Sequence, residues 1–248
     1  MAGPMEQFAI KVLQPFKPGG YDLSFTNSSL WMAVALVGVA VFLFVGTARP
    51  QLVPGRWQAA VEYIYDFIRK MLDDNVGPEG RKFAPLIFAL FIFVLACNLL
   101  GLIPWVGSFT PTSHIAVTLG LAVLVFVIVC IVGFARHGLK FFTLFWPHGA
   151  GVLGPLVFLI EFMSFLSRPF TLAIRLFANM TAGHVLLQVF GTFVIALGSF
   201  GALPYVFGVV PLAVSVALVA LELLISVVQA YVFALLASLY LNDAINLH

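Results

Sequence analysis

Long apolar runs, free of Lys, Arg, Asp and Glu, alternate with short polar stretches along this chain. Residues 30–46, 83–105 and 115–134 form three such runs. Each is near the ~20 residues that a helix needs to cross bilayer hydrocarbon, so each predicts a membrane span. Two later segments are longer. Residues 152–197 and 204–241 would extend about 69 and 57 Å as helices at ~1.5 Å per residue, against a hydrocarbon core of ~30 Å. Neither crosses upright as a straight helix. They predict two steeply tilted or bent helices, with Pro169 as a bending point. Gly198, Gly201 and Pro204 supply a turn between them, which makes the two a hairpin.

The stretch between the first two spans has a different period. Trp57, Val61, Ile64, Tyr65, Ile68, Met71 and Leu72 recur at helical spacing, while Gln58, Glu62, Asp66, Arg69, Lys70 and Asp73 occupy the other face. This predicts an amphipathic helix over about 57–72 lying on the membrane surface. The alternative is a solvated helix packed on protein. Residues 1–29 are polar and contain Pro and Gly, and read as an extramembrane lead to a single membrane domain over 30–248.

Composition agrees with this pattern. The chain is 62% hydrophobic and 9% charged, with mean hydropathy +1.11, which excludes a soluble globular domain. The formal net charge of +2 is too small to suggest nucleic acid. Cys97 and Cys130 both lie in apolar segments and read as small buried hydrophobes. The N-terminus lacks the basic region, apolar core and small-residue cleavage site of a signal peptide, and is poor in the Arg and Ser of a transit peptide. Lys and Arg are dense over 49–82, absent between the next two spans, and present again as Arg136 and Lys140. By the positive-inside rule, 49–82 and 135–148 face the cytoplasm, the N-terminus faces outside, and five crossings leave the C-terminus inside.

Polar groups at membrane depth concentrate in the two long segments. Arg175 is the sharpest: a guanidinium stays protonated, and a charge at bilayer depth costs at least ~2.5–3.5 kcal/mol. On the same helix face stand Thr171, Asn179 and Ala182, with Ala178 beside them. Such small residues permit close approach of another helix. In the final segment Ser215, Glu222, Ser226 and Gln229 share one face. Residues level across an antiparallel hairpin have numbers that sum to twice the turn centre. Pairing Arg175 with Gln229, and His184 with Glu222, centres the turn near 202 and 203, inside the Gly/Pro turn. Nine positions separate His184 from Arg175, about half a rotation at ~3.6 residues per turn. Both pairs therefore cannot meet across one seam of straight helices. A His and a carboxyl that exchange protons near neutral pH, beside an Arg that cannot, suggest a proton path. The competing reading is a buried structural ion-pair network. Glu161 and Arg168, seven apart near the cytoplasmic end, read as a helix-end ion pair.

At these residues the chain resembles subunit a of the rotary proton-translocating ATP synthase. The segment Arg175-Leu-Phe-Ala-Asn179-Met-Thr-Ala-Gly183-His184 is similar to that family's arginine motif, and Gln229-Ala-Tyr-Val-Phe to its final-helix motif. Asn98-Leu-Leu-Gly-Leu-Ile-Pro104 and Thr110-Pro-Thr-Ser-His-Ile resemble its earlier signatures. The likeness runs over about 57–241. It implies an essential arginine at Arg175, with Asn179 and Gln229 as companions. Some bacterial members carry Glu where this chain has His184 and His where it has Glu222; the exchange here implies an alphaproteobacterial or mitochondrial-type member. The resemblance further implies two aqueous half-channels reaching a ring of subunit c, with Glu222 and His184 lining the outer one. His114, Asn98 and Ser226 are further candidates there. A subunit b peripheral stalk and membrane lipid are the other implied partners. No cofactor is implied, and the bacterial inner membrane is the expected location, with the mitochondrial inner membrane as the alternative.

Two other classes compete. A secondary transporter or channel with a midplane Arg/Glu/His site would normally carry an internal repeat of hydrophobic segments, and none is evident. A membrane-embedded enzyme would need a metal or nucleophile cluster, and the histidines at 114, 137, 148, 184 and 248 form none. The chain is therefore expected to be a non-catalytic membrane subunit.

Overall fold

A computed structural model describes residues 10–15, 24–103, 110–145, 154–198 and 209–246. Among them are six helices: α1 (Asn27–Thr47), α2 (Arg56–Asn75), α3 (Ala84–Gly101), α4 (Ile115–His137), α5 (Gly154–Gly198) and α6 (Val209–Ile245). Short 3₁₀ segments occupy Pro78–Phe83, Pro111–Ser113 and Gly138–Phe145. Five stretches are long and apolar enough to cross a membrane: Asn27–Thr47, Pro78–Gly101, Ile115–Phe142, Gly154–Ala196 and Pro211–Ile245. The all-α membrane architecture read from the hydrophobic pattern is thus the observed one. The last two helices form the expected hairpin, with 45 residues in α5, continuous through Pro169, and 37 in α6. Gly201 and Pro204 of the inferred turn lie outside the described residues, as do Pro104 and Trp105 at the end of the second apolar run.

Helix ends follow local chemistry more than the charge-free runs. α1 starts before Leu30 because Thr26 caps it: the Ser29 N–H donates to Thr26 Oγ1 at 3.4 Å. It stops ahead of Pro50, as chains do before a residue that disfavours α conformation at its predecessor. α2 ends where both the Val76 and Gly77 N–H groups donate to Leu72 O, and Gly77 takes φ +79°, the left-handed conformation that glycine adopts without penalty. α4 runs on to His137 and stops at Gly138, at φ +56°. One feature was not expected: within the polar lead, β1 (Val12–Gln14) and β2 (Phe25–Thr26) pair antiparallel.

The sequence pattern treats 30–248 as one membrane domain; the contacts group into two compact units built from separated stretches. The first comprises residues 1–40, 93–114 and 176–230, and the second 41–92, 115–175 and 231–248.

In the second unit, α2 packs its apolar face on the protein. Val61, Ile68, Met71 and Leu72 are buried; Tyr65 meets Phe88 edge-on at 5.5 Å, and Phe67 lies 5.5 Å from Tyr231. A Cβ at Gly46 would come within 2.6 Å of Val61 Cγ2, so the bare glycine lets α2 sit close. Amphipathic spacing is the same whether lipid or protein covers the stripe, and here protein covers these four positions. Trp57 and Tyr63 remain exposed. Arg136 pairs with Glu79. That contact joins two of the Lys/Arg-bearing connections, consistent with their placement on one side of the bilayer.

Candidate functional site

The first unit gathers polar side chains from three helices and the 110–114 segment. His184 on α5 and Glu222 on α6 face each other, with Nδ1 3.3 Å from Oε1. The hairpin register derived from sequence is therefore correct for this pair. Both are buried: 11% of the His184 side chain and 3% of the Glu222 side chain remain exposed. Gly183 gives the carboxyl group its place, since a Cβ there would come within 3.0 Å of Glu222 Oε1. The other imidazole nitrogen, His184 Nε2, lies 2.6 Å from Thr110 Oγ1. Neither carboxyl oxygen of Glu222 makes a hydrogen bond with a described residue, nor do Ser226 Oγ, Gln229 Nε2 and Gln188 Oε1. Burying a carboxyl without hydrogen-bond donors is costly, and the group that faces this one is the His184 imidazole, 3.3 Å away.

Gln229 also bonds to α5. Its Oε1 accepts a hydrogen bond from Asn179 Nδ2 at 2.9 Å, one helical turn beyond Arg175. Four residues make little more than one full helical turn, so Asn179 stands on the Arg175 side of α5, and it is Asn179 that reaches Gln229. Arg175 is exposed. It lies on an apolar surface with Phe170 and Ile174, which are 52% and 53% exposed, and it forms no hydrogen bond or ion pair with a described residue.

Asn98 is fully buried on α3. Its Nδ2 donates to the Ser226 carbonyl at 3.2 Å, and its Oδ1 accepts from Thr112 Oγ1 at 2.7 Å. This amide pins the 111–113 turn and α6 to α3. Thr181 Oγ1 adds a longer bond to Ser113 O, 3.4 Å. His114 ends the same segment, half-buried, and burial pushes its imidazole below the usual value.

The helix-end pair is corrected. Arg168 binds Asp243, not Glu161, with Nη1 2.6 Å from Oδ2. Its guanidinium also lies 5.0 Å from the Tyr240 ring and 5.4 Å from Phe165. Seven residues along one helix are about 10.5 Å of rise, too far for Glu161 to reach, and Glu161 is exposed. Sequence reasoning missed Asp243, Thr112 and Thr110. The last two lie in a motif that the resemblance quoted, but a loop hydroxyl has no periodicity to reveal its partner.

Comparison with known proteins identifies the family. The family model described as ATP synthase A chain matches residues 29–242. A protein of Rhodospirillum rubrum named ATP synthase subunit a is 53% identical over 249 residues, covering 100% of both chains. One of Paramagnetospirillum magneticum with the same name is 50% identical, again over 100% of both. That of Mesorhizobium japonicum is 53% identical over 98% of this chain and 96% of its own. With the family model covering 29–242 and identity of this level running end to end, the chain belongs to the ATP synthase A chain family.

Proposed function

We propose that this chain is the proton-conducting stator subunit a of an ATP synthase, working in the inner membrane against a ring of subunit c and held by a subunit b-type peripheral stalk. The observation that carries the reading is the exposed guanidinium of Arg175 on an apolar helix face. A permanent charge facing hydrocarbon alone is costly, so a partner bearing an opposite charge at that depth belongs there. Each ring subunit would present one carboxyl group. That carboxyl faces lipid only when protonated, and next to Arg175 the carboxylate is favoured by the adjacent cation. It therefore releases its proton to one aqueous half-channel, passes Arg175 ionised, and takes up a proton from the other. Arg175 also keeps protons from leaking directly between the two. Glu222 and His184 line the outer half-channel, with Ser226 and His114 along it, while Asn98 and the Asn179–Gln229 pair hold the helices in register. Catalysis of ATP formation lies elsewhere in the complex.

Cross-linking tests the placement of the ring. Cysteine at 178 or 182, in the exposed small-residue stripe beside Arg175, should form disulfides with a cysteine next to the carboxyl of a small two-helix proteolipid. Cross-links to that proteolipid only from positions on the opposite face of α5 would remove the ring from this face.

A further inference from the structure

The Thr110 hydroxyl contacts the proton-exchanging pair without being part of it. Thr110 is buried, with Oγ1 2.6 Å from His184 Nε2. Three features hold it there. A Cβ at Gly101 would overlap Thr110 Oγ1, so the bare glycine makes room for the hydroxyl against α3. Ser113 Oγ donates to the Thr110 carbonyl at 2.6 Å, and Thr112 ties the same segment to Asn98. The hydroxyl is thus built into place rather than resting on a mobile rotamer.

An imidazole bound at one nitrogen by a hydroxyl has its other nitrogen aimed, here at Glu222. We propose that Thr110 is a positioning residue for the proton-exchanging pair: its hydroxyl holds the His184 ring with Nδ1 toward Glu222 and supports the protonated imidazole. This inference rests on the reading of His184 and Glu222 as a proton-exchange site. In the exchange, the Glu222 carboxyl proton passes to Nδ1, leaving a carboxylate and an imidazolium. Its Nε2–H then donates to Thr110 Oγ1. When Nδ1 alone carries a hydrogen, Thr110 donates its own O–H to the Nε2 lone pair. The hydroxyl can do both by rotating, and it gains or loses no proton. Hydrogen bonds to a charged partner are about twice as strong as neutral ones, so the hydroxyl favours the imidazolium. The elements around His184 also carry Glu222, Tyr231, Tyr240 and Asp243 on α6, His114 on the loop segment, Cys97 on α3, and Glu161, Arg168 and Arg175 earlier on α5 itself; of these, Glu222 faces the ring.

Three variants test this in the assembled complex in membrane vesicles, with proton flux measured against the pH of the outer side. Thr110→Val keeps the shape and loses the hydroxyl. Its alkaline limb should move down by about half a unit to one unit, and Thr110→Ser should restore the parent profile. Gly101→Ala keeps the hydroxyl but displaces it, and should move the limb in the same direction; it decides the matter if Thr110→Val fails to assemble. Glu222→Gln and His184→Ala serve as the reference. If these abolish flux while Thr110→Val and Gly101→Ala keep the parent pH profile, the positioning role is wrong and the site reading stands. If the reference variants conduct normally, the site reading itself fails.

Discussion

Arg168 and Asp243 tie α5 to the end of α6, and separating the contributions at this contact tests whether the hairpin is held there as described. The pair is close, 2.6 Å, with 25% and 31% of the two side chains exposed. A hydrogen bond to a charged group contributes about 1.5–3 kcal/mol, and partial exposure places this one toward the lower end. The rings of Tyr240 and Phe165, 5.0 and 5.4 Å from the guanidinium carbon, add about 0.5–1 kcal/mol each. Asp243→Asn removes the charge and keeps an acceptor, and should cost about 1–2 kcal/mol. Arg168→Ala removes the ion pair and both ring contacts, and should cost about 3 kcal/mol. Arg168→Lys should fall between, since an ammonium keeps the charge but not the flat guanidinium. The double variant should show a coupling of about 1–2 kcal/mol between the two positions. Detergent-titration unfolding of the purified chain measures all four. Equal losses in Asp243→Asn and Arg168→Ala, with no coupling, would refute the assignment of this contact.

Two further outcomes follow from the buried groups. Glu222→Ala should slow proton uptake more than it reduces assembly, and exchanging Glu222 and His184 should retain more flux than either single loss, because the site keeps one acid and one imidazole; simply additive losses in flux assays of the exchange would argue for separate structural roles. His114 is held neutral by burial, with its folded value below the ordinary 6.5, so the unfolded chain binds more protons and stability is lost as pH falls below about 6.5. His114→Gln should therefore outlast the parent chain in thermal inactivation at pH 5.5 and match it at pH 8, whereas an equal difference at both values would show that protonation of His114 is not involved.

Much of this architecture is legible from residues alone, and the exceptions have physical causes. The run lengths disclose the five spans, because bilayer thickness sets the length that a helix must have. The His184–Glu222 contact is recoverable because a hairpin turns residue numbers into levels along the bilayer. Levels carry no rotation, however. Gln229 shares a level with several α5 residues, and the one it bonds is Asn179. A linear reading also favours partners close in sequence, so it pairs Arg168 with Glu161 and not with Asp243 from another helix. Amphipathic spacing in α2 shows that one face is covered but not by what. The ribbon formed by Val12–Gln14 and Phe25–Thr26 is too short to produce an alternating pattern, and Thr110 lies in a loop where no period exists.

Arg175 carries the central claim, and Arg175→Ala tests it most directly. The measurement is ATP synthesis together with passive proton conduction in vesicles containing the assembled complex. Synthesis and ATP-driven pumping should be lost while assembly continues. Passive conduction should persist or rise, because under the proposed function ring sites would then pass between the two half-channels without being driven to release their protons. Arg175→Lys should also couple poorly, since an ammonium can lose its proton and lacks the planar fork. Near-normal synthesis in Arg175→Ala, with tight coupling retained, would contradict the account and leave the exposed guanidinium a structural feature.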